Sequence, residues 1–362
     1  MISDKFHLWG AGTYGARTIE FMKDDLSFLA VIDNDVNKIG TTFYGVPVIS
    51  SEEAFQSIQT TKLVIALNIP TEVRELLLVK GLAENKDFFT LHDFIPRYYW
   101  SKNKTLVVKS VDFAVTTMCN MKCISCQTQI PIVKNRRHLD VDSILNDLDM
   151  LFSHVDKVMT LNICCGESFL NKKLPDICTS IYKKYQDRYH TLLVQANGTI
   201  IPNDGVMRSF SKSKTIIVTS NYPENERTTN RLIDKCNEFD IKWYINRSGN
   251  RDYWYDLGDP RIISETNPEK LSIRFEKCWK PGMGLNDGWL YICASQLWAN
   301  VVAEEGEIEQ GDAFDLRQEK TETSKESLLQ TLSRLPPEKG YISHCMRCNS
   351  VMTPYKPTGD LL

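Results

Sequence analysis

Short apolar runs alternate with amphipathic stretches along most of the chain, and the rhythm changes twice. Phe6–Trp9, Leu29–Ile32 and Lys62–Leu67 read as strands, and an amphipathic helix follows the first of them through Met22. Three apolar strands are few for a full dinucleotide fold, so a small α/β unit is expected over 1–98. From about Leu106 strands are predicted at Val111–Thr117, Val158–Ile163, Leu192–Gln195, Thr215–Thr219 and Lys242–Ile245, with helices such as Val141–Phe152 and Arg227–Phe239 between them. Strand and helix in steady alternation predict parallel β/α units. The expected fold class is therefore α/β, with a central partial (β/α)6 TIM-type barrel over 105–272 whose chemistry sits at the strand C-terminal ends. After about Ile273 the pattern breaks into short strands, turns and an acidic loop, Glu304 to Asp312, marking a third domain over 273–362.

Composition narrows the function classes. A formal charge of -3 from 43 basic and 46 acidic side chains, with no basic stripe, predicts no nucleic-acid partner. No run approaches roughly 18 apolar residues and Met1 leads straight into a strand, so no membrane association and a cytoplasmic location are expected. Eleven cysteines in a chain with no export signal point to reduced thiols that hold metal. Cys178 and Cys236 lie in helical patterns and are expected in the core.

Two cysteine groups carry the chemistry. Cys119, Cys123 and Cys126 place three thiols within eight residues directly after a predicted strand. A four-iron four-sulfur cube takes a soft thiolate at each iron, and this loop leaves one iron open for a ligand. Cys278, Cys293, Cys345 and Cys348 form the second group; four thiolates close a second cluster completely, while a zinc ribbon is the alternative. Gly288 permits a tight hairpin between Cys278 and Cys293. In the first unit Gly10, Gly12 and Gly15 follow a strand and open a helix, with Asp33 about twenty residues on. That pattern suits a phosphate at a helix N-terminus and a ribose at the acid; a docking unit with an empty crevice is the alternative.

Cys119-x3-Cys123-x2-Cys126 after the first strand of a β/α barrel resembles the radical S-adenosylmethionine superfamily. The resemblance implies that the methionine amine and carboxylate of S-adenosyl-L-methionine chelate the open iron. It further implies that an electron then cleaves the carbon-sulfur bond to give a 5'-deoxyadenosyl radical. Ser125 stands where such families carry an aromatic residue against the adenine. Cys165-Gly166-Glu167-Ser168 resembles the superfamily's G-G-E-P segment with its two ends substituted, which implies Gly166 and Glu167 at the cofactor's amino group and Ser168 among the cofactor-binding residues. Asn197 and Ser220, at the ends of the third and fourth strands, fall by the same resemblance at its ribose or carboxylate. The second cysteine group resembles the SPASM domain and its shortened twitch form. Asp33 to Val48 resembles the small Rossmann-like domain of nucleotide-sugar enzymes, which implies a nucleotide or nucleotide sugar there.

Several positions have two readings. Cys164 and Cys165 end a barrel strand, so one should face the cavity and could return a hydrogen atom to a substrate radical, or both could simply pack the core. Lys134 to His138 could hold a substrate anion or form a solvated helix start, and Arg247, Arg251 and Tyr253 to Tyr255 are candidate substrate contacts. His344 is expected at the surface. The expected activity is hydrogen abstraction from a sugar, nucleotide sugar or similar polar metabolite, ending in dehydrogenation or epimerisation, with a flavodoxin or ferredoxin as electron donor. A ribosomal-peptide maturase and a non-catalytic, metal-stabilised nucleotide-binding protein are the alternatives.

Overall fold

The computed structural model describes residues 5–58, 60–67, 70–123, 126–220, 222–246, 253–278, 282–303, 308–309, 311–333, 337–349 and 355–357. Two compact units divide the chain, Met1–Lys109 with Leu332–Arg334 and Ser110–Thr331 with Leu335–Leu362. Together they hold two mostly parallel sheets with helices between the strands, an α/β protein as expected. Among the described residues no helix is long and apolar enough to cross a membrane.

In the first unit β1 (Phe6–Trp9) is followed by α1 (Thr13–Met22), and β2 (Ala30–Ile32) by β3 (Thr42–Phe43) and β4 (Val46–Ile49). Then come α2 (Ser51–Gln56), β5 (Lys62–Ile65), α3 (Thr71–Val79), β6 (Phe88–Thr90) and α4 (Leu91–Asn103). The sheet order is β3-β4-β2-β1-β5-β6, parallel except for the β3–β4 hairpin. It is wider than the three apolar runs predicted. β4 is interrupted by Pro47 and β6 is only three residues long, so neither stands out by periodicity.

The strand order reverses at β1, flanked by β2 and β5, which makes its C-terminal end a topological switch point. Gly10 leaves β1 at φ +121° and donates to the Ile32 carbonyl at 2.8 Å. A Cβ on Gly15 would lie 2.0 Å from the Gly10 carbonyl oxygen, so α1 sits against the turn only because position 15 has no side chain.

The second unit is built on an eight-stranded sheet ordered β11-β10-β9-β8-β7-β13-β14-β15. Here β7 is Val107–Phe113, β8 Lys157–Ile163, β9 Tyr189–Ala196, β10 Ile216–Ser220 and β11 Trp243–Asn246. Helices α5 (Val141–His154), α6 (Leu174–Tyr185), α7 (Asp204–Lys212) and α8 (Glu226–Glu238) alternate with them, and β8 through β11 pair in parallel. Val158, Leu161, Ile163, Leu192, Val194 and Ile217 are buried, as expected for strands covered on both faces. Cys178 and Cys236 are buried in α6 and α8.

The first strand of this unit ends earlier than the 111–117 pattern suggested. Thr116 Oγ1 accepts from the Met118 amide at 2.9 Å, and Thr117 Oγ1 accepts from Arg137 N at 2.8 Å. The two hydroxyls turn the backbone out of the sheet.

The C-terminal third continues the same sheet. After β12 (Tyr253–Tyr255) and α9 (Pro268–Lys277), β13 (Met283–Asn286) lies parallel to β7. β14 (Trp289–Tyr291) and β15 (Ala313–Asp315) add antiparallel strands, α10 (Ala294–Ala303) and α11 (Glu322–Leu332) follow β14 and β15, and β16 (Tyr355–Pro357) pairs with β12. Asp287 and Gly288, both at positive φ, make the two-residue turn between β13 and β14. Asp147 on α5 accepts from both turn amides, at 2.9 and 2.8 Å.

Replacing Gly15 by Ala is expected to destabilise the first unit by about 1–3 kcal/mol, because the methyl meets a backbone carbonyl that cannot move aside. Gly12→Ala meets nothing within 4 Å and should change stability by less than about 0.5 kcal/mol. Thermal unfolding of both variants checks this; equal melting temperatures would contradict it.

Candidate metal centre

The loop after β7 carries the first three thiols. Cys123 is buried with Met121 and Tyr222, and Cys119 and Cys126 pack against the same cluster. Burial pushes the Cys123 thiol up to about 12, with the Cys126 and Cys119 thiolates adding to it. Cys119 is raised likewise, first by burial and further by Glu167 and Cys126. The Cys119 and Cys123 thiols stand close to Cys126 with their ionisation opposed by burial and by their neighbours, and a cationic centre among the thiols would reverse that cost. The residues present therefore fit an iron-sulfur cluster. Among the described residues no three His, Cys, Asp or Glu are arranged to hold a single metal ion; a cube bonds each thiolate to a different iron, so its ligands need not converge on one point.

The turn after β8 packs directly on this loop. Cys164 N donates to the Phe113 carbonyl at 3.0 Å, and Glu167 N to the Met118 carbonyl at 2.8 Å. Cys165 and Gly166 both have positive φ, +89° and +58°. A Cβ on Gly166 would lie 2.3 Å from the Met118 carbonyl oxygen, one residue before Cys119. Glycine is required there for space as well as for conformation.

Glu167 has no exposed surface. Its Oε2 accepts from Asn197 N at 2.7 Å and its Oε1 from Phe169 N at 3.0 Å. Burial raises its pKa to about 7 against these two bonds. The carboxylate thus ties the ends of β8 and β9 together beside Cys119. Ser168 is buried in the turn that follows. Asn197 Nδ2 donates to Asn120 Oδ1 at 2.9 Å and lies 3.9 Å from Cys119 Sγ, while its carbonyl accepts from Asn225 Nδ2 at 3.2 Å. Ser220 ends β10, half-buried, and its carbonyl faces the Thr229 hydroxyl at 3.4 Å.

Cys164 and Cys165 are both buried, among Ile130, Val133, Tyr291, Leu297 and Trp298. Burial raises the Cys165 thiol, with Cys126 and Cys119 as further causes and the Thr128 hydroxyl opposing them. Thr128 Oγ1 also lies 3.3 Å from Cys126 Sγ, so Cys165 stands beside the cysteine loop.

The second group is brought together from three elements. Cys278 caps α9, the Cys293 carbonyl accepts the first bonds of α10, and Cys345 lies in a short turn before Cys348. Burial raises the Cys345 thiol, and Cys293, Cys278 and Cys348 each add to it. Asp312, 1% exposed, accepts twice from Ser343 N at 3.1 and 3.0 Å and once from Gln296 Nε2 at 3.3 Å, which holds that turn against α10. His344 is buried in the turn, contrary to the surface position expected. Its carbonyl accepts from Arg347 N and Cys348 N and draws the residue inward.

The two loops share a tether. Gln129 Nε2 donates to the Gly258 carbonyl at 3.2 Å, and Asn349 N donates to the Leu257 carbonyl at 3.0 Å.

In the first unit Asp33 meets the glycine turn at Ala11. Asp33 Oδ2 accepts from Ala11 N at 2.9 Å and from Lys38 Nζ at 3.0 Å, and Oδ1 accepts from Asp35 N. Burial opposes ionisation, but the Asp35 amide and Lys38 hold the carboxyl below its usual value.

Lys134 to His138 forms no helix start; Arg137 pairs with Thr117, and His138 bridges Thr116 in extended backbone. Ser125, Arg247, Arg251 and the side chains of Tyr253 to Tyr255 lie outside the described residues. Tyr222, Thr128, Asn120 and Asn225 escaped the sequence reading. Only Tyr222, three residues past the predicted strand Thr215–Thr219, carried a signal that could have found it.

No family model and no curated protein matches the sequence. Among solved structures the chain is similar to BtrN in complex with AdoMet and 2-DOIA, at 12% identity and TM-score 0.44, over 71% of this chain and 100% of that one. It is also similar to anSMEcpe with bound AdoMet, at 12% and 0.40 over 66% and 84%. Streptococcus suis SuiB bound to S-adenosylmethionine gives 13% and 0.33 over 51% and 41%.

Gly166→Ala should displace the Met118 carbonyl and lower iron content at the first thiol set, read by iron analysis after anaerobic reconstitution. Glu167 makes a signed prediction. Its folded pKa of about 7 lies above the ordinary 4.5, so its favourable contribution is full below pH 4.5 and is lost as pH rises through 7. Glu167→Gln should remove up to about 3 kcal/mol of that pH dependence, while leaving one buried amide poorly paired at a cost of about 1–3 kcal/mol. Urea unfolding between pH 4.5 and 8 measures both; an unchanged pH profile would contradict the assignment.

Proposed function

We propose that this chain is a radical S-adenosylmethionine enzyme, with its first cluster on Cys119, Cys123 and Cys126 and an auxiliary cluster on Cys278, Cys293, Cys345 and Cys348. The carrying observation is the packing of Gly166 onto the Met118 carbonyl, with Glu167 clasping Asn197 beside Cys119. When bound, the first cluster supplies one electron for reductive cleavage of S-adenosylmethionine, which yields the 5'-deoxyadenosyl radical that abstracts hydrogen.

The chain's own residues hold and exclude. Gly166 leaves the backbone bare beside the cysteine loop, and Glu167 orients the ends of β8 and β9. Asn197 fixes Asn120, and the buried set around Cys164 and Cys165 keeps water from the loop. In an epimerisation the Cys165 S–H, buried in the cluster against which Cys119 and Cys126 pack, would be the candidate that returns a hydrogen atom. The second thiol set would hold the auxiliary cluster, which would supply an acceptor for the electron released in a dehydrogenation. The glycine turn and switch point of the first unit support a nucleotide or nucleotide sugar there, and hence a carbohydrate substrate. Lys38, already on Asp33, would be the cation nearest its ribose or phosphate.

Anaerobically purified protein should carry about eight irons per chain and form 5'-deoxyadenosine under reductant. Cys126→Ala should bring deoxyadenosine to background with about four irons left, whereas Cys293→Ala should keep deoxyadenosine formation with about four. Wild-type product from Cys126→Ala, or zinc in place of iron, would overturn the reading. Saturable binding of a nucleotide sugar and none of a ribosomal precursor peptide is expected; the reverse would favour a maturase.

A further inference from the structure

Arg274 joins three of the four thiols of the second set through the backbone. It lies on the last turn of α9, four residues before Cys278, so the two share one helix face. Its Nη1 donates to the Cys345 carbonyl at 2.7 Å and also to the Cys348 carbonyl. One guanidinium nitrogen thereby locks the Cys278 helix to the Cys345-Met-Arg-Cys348 turn across more than seventy residues of chain. The turn needs such a donor. His344 O already takes the Arg347 and Cys348 amides, and Met346 O takes Ser264 N and Glu265 N, which leaves the carbonyls of the two cysteines themselves turned to Arg274.

The same contact carries a charge. A guanidinium is a cation, and both of these bonds go to neutral carbonyls that do not cancel its charge. The side chain is half-buried against the thiol set, so solvent screens it less than it would a surface cation. Hydrogen bonds and charges at the ligands are among the levers that set an iron-sulfur potential.

We propose that Arg274 is a positioning residue that raises the reduction potential of the auxiliary cluster by holding a fixed positive charge at the carbonyls of Cys345 and Cys348. This rests on the second-cluster reading given above. An added electron makes the cluster more negative, so a neighbouring cation favours the reduced state and its removal disfavours it.

The test is an EPR-monitored redox titration, with iron analysis, of the full-length, anaerobically purified protein and its Arg274→Gln and Arg274→Lys variants. Gln keeps an N–H donor and loses the charge; Lys keeps the charge and loses the fork. With about eight irons retained, Arg274→Gln should lower one of two midpoint potentials and leave the other in place, and Arg274→Lys should restore it toward wild type. Eight irons with neither midpoint moved would overturn the inference alone. Loss to about four irons in both variants would reduce Arg274 to a structural clasp and also overturn it. A wild-type protein with only about four irons overturns the second-cluster reading itself, a result distinct from the other two.

Discussion

The contact of Gly166 with the Met118 carbonyl is the constraint on which the site depends. Even a methyl group at position 166 would come within 2.3 Å of that oxygen, so the β8 turn and the cysteine loop can be this close only at a glycine. The Glu167 amide closes the contact from its own side at 2.8 Å. Its carboxylate then reaches the Asn197 amide, and Asn197 reaches Asn120 inside the loop. Three strand ends are thereby fixed around the three thiols, and Cys119 Sγ itself takes a long bond from Asn197 Nδ2 at 3.9 Å. The buried carboxylate is costly, and the two backbone amides offset only part of that cost, which is why its pKa stays near 7.

The second thiol set is organised by a different means. A helix end, a helix start and a short turn carry Cys278, Cys293, Cys345 and Cys348, held by Asp312 and Arg274. Both sets connect to the segment around Leu257 and Gly258, one through Gln129 and the other through Asn349. The C-terminal third also extends the sheet that carries the first loop, so the two sets stand on one scaffold.

Much of this was legible in the sequence. The parallel strands of the second unit fell where apolar runs lay, because a strand buried on both faces is apolar throughout. The cysteine spacing and the Gly166-Glu167 pair located the candidate centre. Less legible were contacts made by side-chain hydroxyls and amides, whose partners are distant in sequence. Thr116 and Thr117 end β7 early by bonding backbone near Arg137, and nothing local marks them. Pro47 disguised β4, and His344 was drawn inward by a turn whose form depends on Asp312, more than thirty residues upstream. Arg274 looks in sequence like any polar helix residue.

The claim that the first cluster leaves an iron for S-adenosylmethionine is tested most directly by spectroscopy on a chain with only that cluster. In a Cys293→Ala, Cys345→Ala protein reduced under anaerobic conditions, adding S-adenosylmethionine should change the EPR spectrum of the remaining cluster, because a ligand reaches one of its irons. An iron-loaded protein whose spectrum is identical with and without S-adenosylmethionine would contradict it.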